Sequence, residues 1–137
     1  MATLFTKIIQ GDIPGRFVWR DERAVAFLTI APITPGHTLV VPVDEVDHWV
    51  DLPADLATHL MHVSRLVGRA QMAAFTPARV GVIIAGLEVP HCHLHVLPIW
   101  DEEDLHLSRS ARNVETQELV ANAEYLRNAL GALGLTP

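Results

Sequence analysis

A chain of 137 residues, half of them hydrophobic and 19% charged, has the size and composition of one globular domain with its own core. A formal net charge of −6 argues against general binding to nucleic-acid backbones, and no apolar run is long enough to span a bilayer. Cys92 is the only cysteine, so no internal disulfide can form. The segment from Met1 to Lys7 lacks the order of a signal peptide, and a reducing cytoplasm is the expected compartment.

In chain order, Leu4 to Ile9 reads as a short helix or turn, stopped by Gly11 and Pro14. Phe17 to Arg20 and Ala24 to Leu28 read as strands around the charged turn Asp21-Glu22-Arg23. The breaker-rich loop Ala31 to Gly36 leads to a third strand at His37 to Pro42. The longest helix is predicted to begin near Pro53, with Leu56, Leu60, Val63, Val67, Ala70 and Ala74 forming an apolar stripe. Thr76-Pro77 ends it. Val80 to Ala85 reads as a buried strand, and the stretch Pro90 to Pro98 as its antiparallel neighbour. The acidic run Asp101 to Asp104 reads as a solvated loop. A last helix is predicted over about Thr116 to Leu130, with Leu119, Ala123, Leu126 and Leu130 on one side. The order implies an α+β domain with an antiparallel sheet.

The stretch Pro90-His91-Cys92-His93-Leu94-His95-Val96-Leu97-Pro98 carries the chemistry. On a strand, His91, His93 and His95 share one face, while Cys92, Leu94 and Val96 face the core. A core needs no row of imidazoles. Two readings explain one. Imidazoles at alternate positions can converge on a metal ion, with Glu88 or His37 as a further ligand. Alternatively, a neutral imidazole attacks phosphorus while its neighbours donate to phosphate oxygens. Backbone N–H groups could complete such a site without a metal or cofactor.

His91-Cys92-His93-Leu94-His95-Val96-Leu97 resembles, at every position, the His-φ-His-φ-His-φ-φ motif (φ hydrophobic) of the histidine triad (HIT) nucleotide hydrolases and transferases. The likeness extends to Phe5-Thr6-Lys7-Ile8-Ile9, Gly11-Asp12-Ile13-Pro14, Ala26 to Ile30, Pro35 to Pro42, and Gly86 to Pro90. It covers roughly residues 5–98, followed by an extension and helix over 99–137. The resemblance implies one HIT-like domain over 1–137, with about five antiparallel strands, one long helix and a C-terminal helix. It is similar to the Hint-like branch, whose members are commonly homodimers.

The resemblance further implies that His93 is the nucleophile at the α-phosphorus of a nucleotide derivative, forming a nucleotidyl-histidine intermediate. His95 is then the phosphate donor, and His91 and His37 orient the network. Ile13, Phe27, Leu28, Ile30 and Leu39 match positions of the family's base and ribose pocket, and Thr29, Glu88 and Val89 complete the candidate nucleotide contacts. Thr29 stands where many relatives have an aspartate facing the ribose; a hydroxyl accepts there without charge. Leu87-Glu88 replaces the Gln-Ser or Gln-Thr of many relatives, so Glu88 either repels a phosphate, binds an ammonium on the leaving group or holds a histidine. The residues Val80 to Ala85 carry no polar side chain, and the asparagine common in that loop is missing.

Some bacterial relatives bind zinc through paired N-terminal cysteines. Their absence here predicts no such metal. The ligand expected from the resemblance is a purine nucleotide or nucleotide conjugate. The expected activity is cleavage of nucleoside phosphoramidates or related nucleotidyl substrates. The alternatives are dinucleoside polyphosphate hydrolysis, or a nucleotide- or metal-binding module with little catalysis. Cys92 is expected as a small buried hydrophobe, and His48, His59, His62 and His106 as surface or helix residues. Trp49 and Trp100 fit core, pocket rim or dimer contact equally.

Overall fold

The computed structural model describes residues 1–111 and 114–137. Its first two strands form in two short apolar runs on either side of a charged turn, β1 at Phe17–Arg20 and β2 at Ala24–Leu28. Asp21 closes the hairpin between them. Its carboxylate accepts the backbone N–H groups of Arg23 and Ala24, each at 2.8 Å, which satisfies two donors that the turn would otherwise orphan. A register shift between Phe17 and Trp19 lets the adjacent Val18 and Trp19 both enter the main core.

Three further strands complete the sheet: β3 at Thr38–Pro42, β4 at Arg79–Ile83 and β5 at Leu94–Ile99. The order is β1-β2-β3-β5-β4, and every neighbouring pair is antiparallel. The expected α+β architecture with five antiparallel strands is therefore the one observed. β4 departs from its expected burial. It lies at the sheet edge, and Val82 is 43% exposed, because an edge strand has a neighbour on one side only.

Two helices cover one face of the sheet: α2 at Ala54–Phe75 and α3 at Thr116–Ala132. The stripe expected on α2 is buried from Leu56 to Ala70, and Leu119, Ala123, Leu126 and Leu130 are buried on α3. They pack with Ala26, Leu28, Val40, Leu94 and Val96, and with Cys92 from the histidine stretch. Truncating one such fully buried leucine to Ala costs about 2–5 kcal/mol. Among the described residues, no helix is long and apolar enough to cross a membrane.

The short helix α1, Leu4–Ile9, lies on the opposite face, and its Phe5 and Ile8 join Val25, Phe27, Leu39 and Val41 in a second apolar cluster. The sheet thus separates a helix-covered core from the face that carries the histidines. Gln71 links the two. From α2 its side-chain amide donates to the carbonyls of Gly36 and Val96, at 3.0 and 2.8 Å, which pins the chain just before His37 and just after His95. The acidic run is mostly exposed, as expected of a solvated segment, and folds into a 3-10 turn, Glu102–Leu105, capped by Asp101.

Candidate active site

The strand expected across the whole histidine stretch begins only at Leu94, so His95 alone of the three lies on a ladder. His91 N–H bonds the Val89 carbonyl and Cys92 N–H the Val46 carbonyl, which bends the chain before the strand starts. The alternation of faces survives the bend. Cys92 and Leu94 enter the main core, and His91 and His93 lie against the edge of the Phe5 ring on the other side. His95 continues that side. Its ring centroid lies 5.0 Å from that of His93 and 5.1 Å from that of His37.

The hydrogen bonds assign a tautomer to each ring. Ile33 N–H donates to His37 Nδ1 at 3.0 Å, so the proton of a neutral His37 sits on Nε2. That Nε2–H donates to His95 Nδ1 at 2.9 Å, so His95 carries its own proton on Nε2. His93 has the reverse arrangement. Its Nδ1–H donates to the His91 carbonyl at 2.8 Å, which leaves a lone pair on Nε2. Two neighbouring rings therefore present unlike atoms, a nucleophilic nitrogen on His93 and a donor N–H on His95.

Burial keeps this set neutral. It pushes His37 down to about 3, helped by His95, and His95 down to about 4, helped by His93. His93 is also lowered, again mainly by burial; its bond to the His91 carbonyl and the Glu88 carboxylate pull in the opposite direction. A neutral imidazole at neutral pH is the form able to attack an electrophile.

His37, His93 and His95 open on a cleft of about 500 Å³, the size of a small-ligand site. Thr29 and Ala31 line one side, and Gly86, Leu87 and Glu88 another. No Lys or Arg is among the described lining residues. His91 stands behind the cleft, fully buried.

The structure gathers the other sequence candidates unevenly. Ile13, Phe27, Leu39 and Val89 meet in the second apolar cluster, joined to the triad through Phe5, whose ring lies edge-on to Phe27 at 5.6 Å. Leu28 is not with them. One position along β2 from Phe27, its side chain turns into the helix-covered core. Ile30 is 75% exposed, and neither it nor those four residues of the second cluster line the cleft.

The remaining wall comes from Leu107, Ser108 and Ser110, which no motif announced. Ala111 N–H anchors this segment to the Pro32 carbonyl at 2.8 Å, so the chain beyond β5 folds back beside the histidines. Of the unassigned histidines, His59 alone has a close partner with a structural role: its Nε2 meets the Asp21 carboxylate at 2.8 Å and ties α2 to the first hairpin. Trp49 and Trp100 are both about half exposed, which removes them from the core. Among the described residues, no three His, Cys, Asp or Glu side chains are grouped to hold a metal ion.

Comparison with known proteins places this geometry. A family model described as HIT domain matches residues 10–101. The chain is 35% identical over 106 residues to the protein hit of Bacillus subtilis, across 74% of this chain and 73% of that one. It is 30% identical over 103 residues to the adenosine 5'-monophosphoramidase of Saccharomyces cerevisiae, across 74% of this chain and 65% of that enzyme. A zinc-bound histidine triad family protein from Mycobacterium smegmatis matches with a TM-score of 0.84 at 26% identity, covering 98% of this chain and 96% of the other. A hypothetical histidine triad nucleotide-binding protein from Sulfolobus tokodaii matches at 0.81 and 26%, covering 94% and 92%.

Proposed function

This chain belongs to the histidine triad (HIT) family of nucleotide-binding hydrolases and transferases, and on that premise we propose that it cleaves nucleoside phosphoramidates or related nucleotidyl substrates at the α-phosphorus. The observation that carries the reading is the pairing of a free Nε2 lone pair on His93 with an Nε2–H on His95 at the mouth of one cleft. In the first step His93 Nε2 bonds to phosphorus as the bond from phosphorus to the leaving group breaks, and the departing amine takes up a proton from solvent water. His95 Nε2–H donates to a phosphate oxygen. The His91 carbonyl, already bonded to His93 Nδ1–H, stabilises the positive charge that grows on the ring. Water then attacks the phosphorus, the bond from phosphorus to His93 Nε2 breaks to restore the free imidazole, and the water's proton passes to solvent as the nucleoside monophosphate leaves.

Glu88 bears on the choice of substrate. Its carboxylate makes no ion pair with a described residue, and no Lys or Arg is among the described residues that line the cleft. A polyphosphate leaving group would be repelled by that carboxylate, whereas an amine would not. This favours phosphoramidates over dinucleoside polyphosphates. Ile13 and Val89, partly buried at the margin of the second apolar cluster, offer a purine contact by shape and dispersion.

The working unit we propose is a homodimer in the cytoplasm. A shallow apolar groove of about 320 Å³ runs between α2 and the open edge of β4, lined by Met61, Met72, Val80 and Val82. Such an edge is suited to a second copy. Incubation with adenosine 5'-phosphoramidate is expected to release AMP, with a nucleotidyl mass on the peptide bearing His93 during turnover. His93→Ala should abolish both while the protein stays folded. AMP release by that variant, or an adduct on another residue, would overturn the mechanism.

A further inference from the structure

We propose that Thr3 and Glu45, neither of which touches the cleft, are positioning residues that hold His91 and through it His93. The inference rests on the role assigned to His93 above. His91 is completely buried and its ring is bonded at both nitrogens. Nε2 lies 2.7 Å from the Pro42 carbonyl, which can only accept, so the ring proton is on Nε2. Nδ1 is then an acceptor, and the Thr3 hydroxyl donates to it at 2.6 Å.

That hydroxyl has one proton. A second hydroxyl, that of Thr6, lies at 3.2 Å, the longer and weaker of the two contacts. Glu45 settles the competition. Its Oε2 accepts the Thr6 hydroxyl at 2.8 Å and the Thr3 backbone N–H at 2.6 Å. Thr6 thus spends its proton on the carboxylate, Thr3 spends its own on His91, and the Thr3 oxygen accepts the Thr6 N–H at 3.1 Å. Every proton in the cluster has one destination. These bonds draw the Glu45 carboxyl below its usual range, the Thr3 N–H contributing most.

The chain of contacts ends on the nucleophile. The His91 carbonyl receives His93 Nδ1–H at 2.8 Å and so fixes which nitrogen of His93 is free. A His91 ring without its Thr3 donor has a buried lone pair with no partner, and it can restore pairing only by turning or shifting its backbone. That movement displaces the carbonyl and loosens His93. The start of α1 therefore reaches the reacting nitrogen through two residues without touching substrate.

The test uses Thr3→Val, Thr3→Ser and Glu45→Ala in the full chain. Each is assayed with adenosine 5'-phosphoramidate, by thermal melting, and by 15N shifts of the His91 and His93 imidazoles. Thr3→Val should lower kcat by about 10-fold, the scale seen when a histidine's outer partner is removed, with little change in KM. It should also blur the single-tautomer signature of His91. Thr3→Ser keeps the hydroxyl and should recover both. Glu45→Ala, at an exposed side chain, should fold and shift the same signals less, so the proposal stands open to test even if Thr3→Val does not fold. Unchanged imidazole shifts and kcat in folded variants would overturn it, as would an equal loss in Thr3→Ser. The shifts are read without turnover, so absence of phosphoramidase activity would sink the proposed function while leaving the clamp testable.

Discussion

Acidification from pH 7 to pH 5 should destabilise this protein mainly through two imidazoles. His37 and His95 are held down to about 3 and about 4, against an ordinary value of 6.5. Above 6.5 both are neutral whether folded or unfolded, so they give stability no pH dependence there. Below 6.5 the unfolded chain takes up protons that the folded chain refuses, and stability falls until the folded values are reached. At pH 5 each imidazole costs about 2 kcal/mol relative to pH 7, and the pair about 4 kcal/mol, a large share of the 5–15 kcal/mol of a typical domain. Asp21, lowered to about 2 by its bonds to Trp19, Arg23, Ala24 and His59 against the opposing effect of burial, adds its own loss only in stronger acid. Urea unfolding at pH 7, 6 and 5 measures the effect. His37→Phe removes one of the two groups and should halve the fall, whatever its own baseline. A wild-type loss under about 1 kcal/mol, or an undiminished slope in His37→Phe, would refute the argument that these rings are buried neutral.

The same burial shapes the rate. His93 is lowered below the ordinary histidine value, so the acid limb of kcat/KM should have its inflection below 6.5; an inflection at 6.5 would contradict a desolvated nucleophile. Glu88→Gln should lower the ratio of kcat/KM for a phosphoramidate with a cationic side chain to that for an uncharged one, by about 3- to 10-fold. An unchanged ratio would show that the carboxylate faces away from the leaving group. Gly36 adopts a φ of +89°, and an added Cβ would lie 2.5 Å from the Phe75 ring. Gly36→Ala should therefore cost about 2–3 kcal/mol in unfolding measurements and, next to His37, lower kcat as well. Wild-type stability in that variant would mean the loop relaxes freely.

Much of the fold is legible because local signals agree with it. β1 and β2 are short apolar runs separated by a charged turn, and α2 and α3 carry stripes at helical spacing. The triad's division of faces is legible for the same reason, since period-two alternation survives the bend at His91 even where the ladder does not. What escapes the sequence is long-range. Nothing in Val80 to Ala85 tells a buried strand from an edge strand, because that depends on sheet order. Nothing in Leu107-Ser108-Arg109-Ser110 marks a cleft wall, because one bond from Ala111 to Pro32 folds the segment back. Leu28 and Phe27 are equally apolar, and only the pleat sends one to the core and the other toward the histidines.

Cys92 shows what that pleat means for handling the protein. It adjoins the triad in sequence yet is 2% exposed on the far side of the sheet, and burial pushes its thiol up to about 11. At neutral pH it is neither ionised nor reachable by alkylating agents. Thiol reagents should thus leave the folded protein untouched and react only once the helices lift off the sheet. With no other thiol in the chain, the rate of Cys92 labelling becomes a clock for that opening, readable by mass without any engineered probe.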